Sequence, residues 1–443
     1  MQELTPLAYV ITMKVNRLFC LLFALLIFVF TIVAASAEDF SDGLYARNAC
    51  VFNVEYHKMV YGKHESEKVS PGQTAKIMTA IIAMEYYKNN PEELIEISSD
   101  ALKGIYKTTV LDVKAGEKVP AKDLINSMLI SGANDSANAL AIAISGSITA
   151  FAQTMNERAT EIGATSTHFT CPTGLDGNGA YTTAYDIAVI SAYAYTMDGF
   201  MDICNTRAYN TSPTDISESK RVFTRNYLIS SGTTAKYYNT DASGILVGYT
   251  DDSNWCLVTS PKSGSFQYII VCMNCDDSNN INVYYDANAL IKWCKNAYSI
   301  YKVLDSSVIL GSLPVELCSV RNQVSVSCES DFYSFLPVDY DKTDIRTELV
   351  PEKETLTAPI VKRQCVGKVK VYYKNQYLGE SNLVSNIDAP LSSSKELWHS
   401  LVEIMTSKVA LITIISIVVL AIAVFMVRYV VIIRRAGAKS NKK

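Results

Sequence analysis

The chain has 443 residues, 49% of them hydrophobic and 19% charged, with a formal net charge of -4. That length allows two or three domains with cores of their own, and the apolar share fits a folded protein with added membrane segments. A nucleic-acid partner would need a concentrated basic face, so none is expected.

Both chain ends carry the apolar excess. Lys14 and Arg17 open a basic start, an apolar run follows, and Ala35-Ser36-Ala37 is a small-residue cleavage site. Residues 1–37 therefore read as a signal peptide, with residues 1–12 a mis-called start ahead of Met13 and Glu38 the mature first residue. Residues 44–60 read as strand, and "YGKHESEKVSPG" as a polar loop. Pro71 suits a first helical turn, and "TAKIMTAIIAMEYYKNN" has helical periodicity up to Asn-Asn-Pro. Two further helices follow, broken around Ser131–Asp135, then an amphipathic helix stopped by Gly163. In the next helix Thr182, Thr183 and Asp186 are the capping residues.

From about residue 218 the pattern turns to strands. "SGILVGYTDDSNWCLVTSPKSGSFQYIIVCMNCDD" predicts antiparallel strands joined by Gly, Ser and Asp turns, and "INVYYDANALIKWCKNAYS" a closing helix. Residues 38–300 thus form an α+β layered domain, helices against an antiparallel sheet. Residues 301–390 carry short β-type runs and form a small all-β domain. Residues 391–407 are a juxtamembrane linker. The apolar run within 408–433 is long enough to span a bilayer, and residues 434–443 form a basic tail that should stay cytoplasmic. The body of the chain is then extracytoplasmic, in the cell membrane by a single pass.

Of eleven cysteines, Cys20 leaves with the signal. The other ten could pair in an oxidising compartment, and Cys318 and Cys328, flanking a turn-like "RNQ", are candidates to face each other across a hairpin. Cys272 and Cys275 form a C-x-x-C inside a strand-like run, where plain core cysteines are the better reading. His57, His64, His168 and His399 are scattered. No metal or cofactor is expected.

The stretches "SPGQTAKIMTA", "GANDSANALA", "STHFTCPTGLDGNGAYTTAYDIAVIS" and "GILVGYTDDSNWCLVTS" carry a family resemblance. The chain resembles the serine D-alanyl-D-alanine carboxypeptidases, the low-molecular-mass penicillin-binding proteins, over nearly all of its mature length. "ETLTAPIVKRQCVGKVKVYYKNQYLGESNLV" resembles the β-rich domain that follows the peptidase domain there. The resemblance implies an extracytoplasmic role on peptidoglycan peptides. It also implies three motifs. In S-x-x-K a serine attacks and a lysine one turn on moves protons. S-x-N supplies a second serine and a substrate-holding Asn, and K-T-G is a strand that holds the substrate carboxylate.

This sequence departs from all three. The first position reads Gln73-Thr74-Ala75-Lys76, the second Gly132-Ala133-Asn134, the third Leu246-Val247-Gly248. An amide is no nucleophile. Gly132 has no hydroxyl, and Leu246 replaces a cation with hydrocarbon, removing charge-assisted bonds to a carboxylate. Lys76 and Asn134 are the catalytic remnants, and Leu246, Val247 and Gly248 the degenerate substrate strand. Each survivor also has a structural reading: Lys76 a helix lysine, Asn134 a turn residue, Gly248 a packing position.

Three readings stay open. The chain is an inactive carboxypeptidase homologue binding stem peptides or a partner; or an active enzyme with a displaced nucleophile such as Ser131; or a membrane-tethered scaffold for an active paralogue. A β-lactamase reading is weaker, since it needs the missing nucleophile too.

Overall fold

The computed structural model of the chain describes residues 43–105, 108–175, 179–232, 235–263, 266–276 and 281–440. The expected signal peptide lies outside the described residues. The described chain falls into two compact units that divide between Tyr298 and Ser299.

The first unit opens with strand β1 (Ala46–Asn53), buried at all but its second position, as a central strand must be. It turns back into β2 (Lys58–Lys63). The pairs Val51–Tyr61 and Ala49–Lys63 carry β2 into the stretch expected to be loop. Cross-strand pairing outweighs the polar composition there, and Lys63 Nζ donates to Leu44 O at 2.7 Å.

Helix α1 (Ala75–Tyr86) follows a single 3-10 turn, Gly72–Thr74, with Pro71 at its N-cap. Ala75 to Ala83 are all buried, Lys76 and Thr79 included, so α1 runs through the core. Around it lie α2 (Ala121–Ser131), α3 (Asn134–Ser145), α4 (Ile148–Ile162) and α5 (Ala184–Tyr195). Of the three expected capping residues only Thr183 caps α5: its hydroxyl accepts from Asp186 N at 3.0 Å. Thr182 bridges to Val69, and the Asp186 carboxylate accepts from Ser166 N and Thr167 Oγ1, both at 2.7 Å. Asp186 thus ties the start of the α4–α5 connection to α5, and Thr182 ties its end to the segment before α1.

The chain then returns as β3 (Leu246–Thr250), β4 (Asn254–Thr259) and β5 (Phe266–Cys275), closed by α6 (Val283–Ala297). The sheet runs β2-β1-β5-β4-β3, antiparallel throughout, with Lys262–Ser263 pairing to the start of β5. Its first and last strands in sequence pair at the centre, Cys50 with Val271 and Phe52 with Ile269. Cys50, Phe52, Cys256, Val258, Ile269, Val271 and Met273 share one core with Ile77, Met78 and Ile81 of α1 and Leu124 and Met128 of α2. Ile270 and Cys272 alternate with these, are equally buried, and so face the other way, where α6 packs on β4 and β5.

The second unit carries the expected all-β domain, entered through a strand that begins at Tyr298. Strands β6 (Tyr298–Leu304), β7 (Gly311–Glu316), β8 (Gln323–Cys328), β9 (Phe332–Pro337), β10 (Ile345–Pro351), β11 (Leu356–Thr357), β12 (Cys365–Tyr373) and β13 (Gln376–Ser385) follow one another. β6 pairs with β9, and the larger sheet runs β10-β12-β13-β8-β7-β11 around Val324, Val326, Val369, Val371 and Leu383.

None of the ten described cysteines forms a disulfide, and only Cys365 of them is exposed. Cys318 and Cys328 do not meet: the hairpin register sets Gly311 opposite Val326 and Pro314 opposite Gln323. Cys318 thus lies near the turn end and Cys328 near the open end. Cys272 and Cys275 sit in β5, where burial pushes the Cys272 thiol well up. A thiol so held is a core residue.

The stretch expected as a linker is mostly helix: α7 (Ser393–Thr406), capped by the Ser392 hydroxyl accepting from Lys395 N. Leu397, Trp398, Leu401, Val402 and Ile404 are exposed on it. Then α8 (Lys408–Ser440) contains Ile412–Val431, long and apolar enough to cross a membrane.

Thr183→Ala removes a buried cap and should cost about 1 kcal/mol of the first unit's stability. A urea titration followed by near-ultraviolet dichroism measures it; an unchanged midpoint would contradict the capping role.

Candidate active site

The site is built around the turn that feeds α1. Gly72 has φ +47°, and a Cβ there would lie 2.1 Å from Ser253 Oγ. A Cβ on Gly174 would lie 1.7 Å from Gly72 O. The turn is therefore clamped between the segment following β3 and the segment around residues 172–174. Only glycine permits approaches that close. Gln73, on this turn, is buried.

One helical turn on, Lys76 has no exposed surface. Its Nζ donates to Thr173 O at 3.0 Å and to Gln73 Oε1 at 3.4 Å. Burial pulls its pKa down to about 7; a charge on Cys171 would push it up, and the Arg225 guanidinium pulls it further down. A lysine so placed is part amine, part ammonium near neutrality, which suits a proton-transfer group.

The Gln73 amide is engaged at both ends. Nε2 donates to Tyr249 O of β3 at 3.2 Å, and Oε1 accepts from Lys76. Its side chain lies flat on Gly248: a Cβ at 248 would fall 2.5 Å from Gln73 Cβ, 2.8 Å from Cγ and 2.7 Å from Cδ. On the other side stands Gly132, the C-cap of α2 at φ +79°, whose Cβ would come 3.3 Å from Gln73 Oε1. The structure thus brings Gln73, Lys76, Gly132 and Gly248 together.

Asn134 begins α3 with no exposed surface, and neither amide atom has a hydrogen-bond partner among the described residues. Its neighbour Asp135 accepts from the backbone of Leu111, Asp112 and Val113, fixing the loop before α2. Leu246 has joined the core shared with α1, opposite Val258. Val247 lines a narrow crevice with Ser131, Gly132, Leu246 and Arg225. Ser131 Oγ donates to Ser127 O at 2.8 Å, inside its own helix. Ser70 has a buried hydroxyl with no partner among the described residues, hence no base on its proton.

In front of Gln73 opens a groove of about 720 Å³, lined by Thr108, Thr109, Arg225, Tyr249, Asp251 and Trp255 among others. Tyr249 and Trp255 stand together at its wall, ring centroids 5.6 Å apart. Arg225, Thr173 and Tyr249 escape sequence reasoning. Two act here through backbone carbonyls, which any residue type supplies, and Arg225 comes from an irregular strap that no motif marks.

Comparisons with known proteins identify the family. Residues 33–277 match the family described as D-alanyl-D-alanine carboxypeptidase, and residues 317–390 match the penicillin-binding protein 5 C-terminal domain. The chain belongs to the D-alanyl-D-alanine carboxypeptidase family of cell-wall proteins, which acts on peptidoglycan stem peptides. Among its relatives is the D-alanyl-D-alanine carboxypeptidase DacF of Bacillus subtilis, 23% identical over 77% of this chain and 85% of that one. The DacA enzyme of Escherichia coli is 25% identical over 74% and 79%. Penicillin binding protein 5 of Haemophilus influenzae superposes with a TM-score of 0.57 at 21% identity, covering 78% of this chain and 98% of its own. The DacD carboxypeptidase of Francisella tularensis does so at 0.61 and 20%, covering 80% and 95%, and these likenesses carry the fold.

Gly248→Ala should cost about 2 kcal/mol through overpacking. Gln73→Ala should not rescue it, because alanine keeps the clashing Cβ, whereas Gln73→Gly should; urea midpoints of the single and double variants decide. For Lys76, the unfolded lysine titrates near 10.4 and the folded one near 7. Between those values the unfolded state binds the extra proton, so stability from this residue rises with pH. The native protein should therefore gain on Lys76→Met between pH 7 and pH 10, and a pH-independent difference in urea midpoints would contradict it.

Proposed function

We propose that the chain is a catalytically inactive member of its family that holds stem-peptide ligands in the groove before Gln73, outside the cytoplasmic membrane. One observation carries the reading: the residue at the nucleophile position is an amide, hydrogen-bonded at both ends to Tyr249 O and Lys76 Nζ. No acyl intermediate forms on such a group. The proton-transfer lysine keeps its lowered pKa but has no hydroxyl to serve, since Gly132 stands at the relay position and Ser131 is turned into its own helix. Binding needs less. The groove is open and has an aromatic wall. The apolar segment of α8 supports tethering to a membrane by one pass, with the basic tail inside.

Intact-mass measurement of the full chain in detergent, after incubation with benzylpenicillin, tests this. The expected result is no adduct and no release of D-alanine from a diacetyl-L-Lys-D-Ala-D-Ala peptide. A mass gain of one ring-opened drug would overturn the reading, and peptide mapping would name the nucleophile.

A further inference from the structure

Strand β10 ends the larger sheet of the second unit. β12 lies on one side of it, and among the described residues no strand lies on the other. It pairs with β12 at 7 consecutive positions, from Ile345–Tyr373 to Pro351–Gly367, without a bulge. Its outer edge is therefore a straight row of free N–H and C=O groups, which is what another strand pairs with. The usual devices that blunt such an edge are missing. No lysine stands on it, and its one proline is its last residue.

The side chains of β10 alternate with the pleat. Ile345 and Leu349 are half-buried and pack on the core that holds Val369 and Val371. Arg346 and Glu348 are exposed on the other face, and both reach Tyr372. The guanidinium lies 4.8 Å from the ring centroid, and Tyr372 OH donates to Glu348 Oε2 at 3.1 Å. The ion pairs near this edge are Lys368–Glu380 and Lys374–Asp344, so neither Arg346 nor Glu348 has one among the described residues.

An antiparallel pair alternates between hydrogen-bonded and non-hydrogen-bonded positions. When two identical edges pair about a two-fold axis, residue i faces j and j faces i, so both are positions of the same kind. One residue then sits on the axis and faces its own copy. With Arg346 or Glu348 there, like charges meet. With Leu349 there, Glu348 faces Val350, and Thr347 faces Pro351, which has no N–H to give. With Thr347 there, Arg346 faces Glu348 of the second copy, twice over, and Ile345 faces Leu349, twice over. That register joins opposite charges on the exposed face and continues the apolar row on the inner one. We propose that β10 is a self-complementary interface, and that two copies of this chain join edge to edge into one continuous sheet with Thr347 on the axis. Tethering as proposed above would add to this, since copies confined to one membrane meet at a raised effective concentration.

The test uses the full chain in phosphatidylcholine liposomes, with the exposed Cys365 changed to serine. Thr347→Cys should then give a disulfide-linked dimer under mild oxidation, because residues facing each other on the axis lie within disulfide reach. Arg346→Cys should give about tenfold less, since position 346 faces 348 and lies too far from its own copy. Adding Arg346→Glu to Thr347→Cys should lower crosslinking about tenfold by setting like charges face to face. Adding Glu348→Arg as well should restore it, which a misfolded chain would not do. No dimer through Thr347→Cys, equal crosslinking from positions 346 and 347, or crosslinking indifferent to the charge exchange would overturn the interface.

Discussion

A lysine amine with no exposed surface, held by the carbonyl oxygens of Thr173 and Gln73, organises this site. An uncompensated ammonium in such a place is expensive, so its surroundings must either supply acceptors or let the proton go. Both happen. The segment around 172–174 brings a main-chain oxygen to the amine, and close contact between Gly174 and Gly72 keeps that oxygen in position. The α1 helix, buried all round, gives the lysine no route to water. The sheet edge, the Gln73 turn and the loop carrying Thr173 are thereby held in one arrangement, whether or not a reaction runs there.

Much of this was legible in the sequence, for identifiable reasons. The core helix has a periodicity that survives burial, and the antiparallel strands are bounded by turn residues with mechanisms of their own. Gln73, Gly132 and Leu246 could be located because the residues around them hold register with the family motifs. Legibility failed where structure depends on what a segment packs against. The start of the presumed loop after β2 is strand because β1 lies beside it. The presumed linker is a helix because Ser392 caps it and its apolar residues recur at helical spacing. Cys318 and Cys328 flank one turn in sequence, yet the register holds them apart. Arg225 was invisible, since nothing local marks one exposed arginine as the cation beside the site.

The two halves of the chain solve different problems. In the first, the N-terminal strand must find a partner over two hundred residues later, at Cys50–Val271 and Phe52–Ile269. Such long-range pairing makes folding slow relative to a helical bundle. The second unit joins two pairs of sequence neighbours through short turns, β7 with β8 and β12 with β13, while β8 with β13, β6 with β9, β10 with β12 and β7 with β11 pair across intervening strands. Its strands are then followed by α7 and the apolar segment of α8.

Gly132 and Gln73 constrain one another. At φ +79° the backbone at 132 disfavours any side chain, and the nearest atom to a new Cβ is the Gln73 carbonyl at 3.3 Å. A side chain placed at 132 would meet both strain and crowding, so the two positions are coupled: what one tolerates depends on what occupies the other.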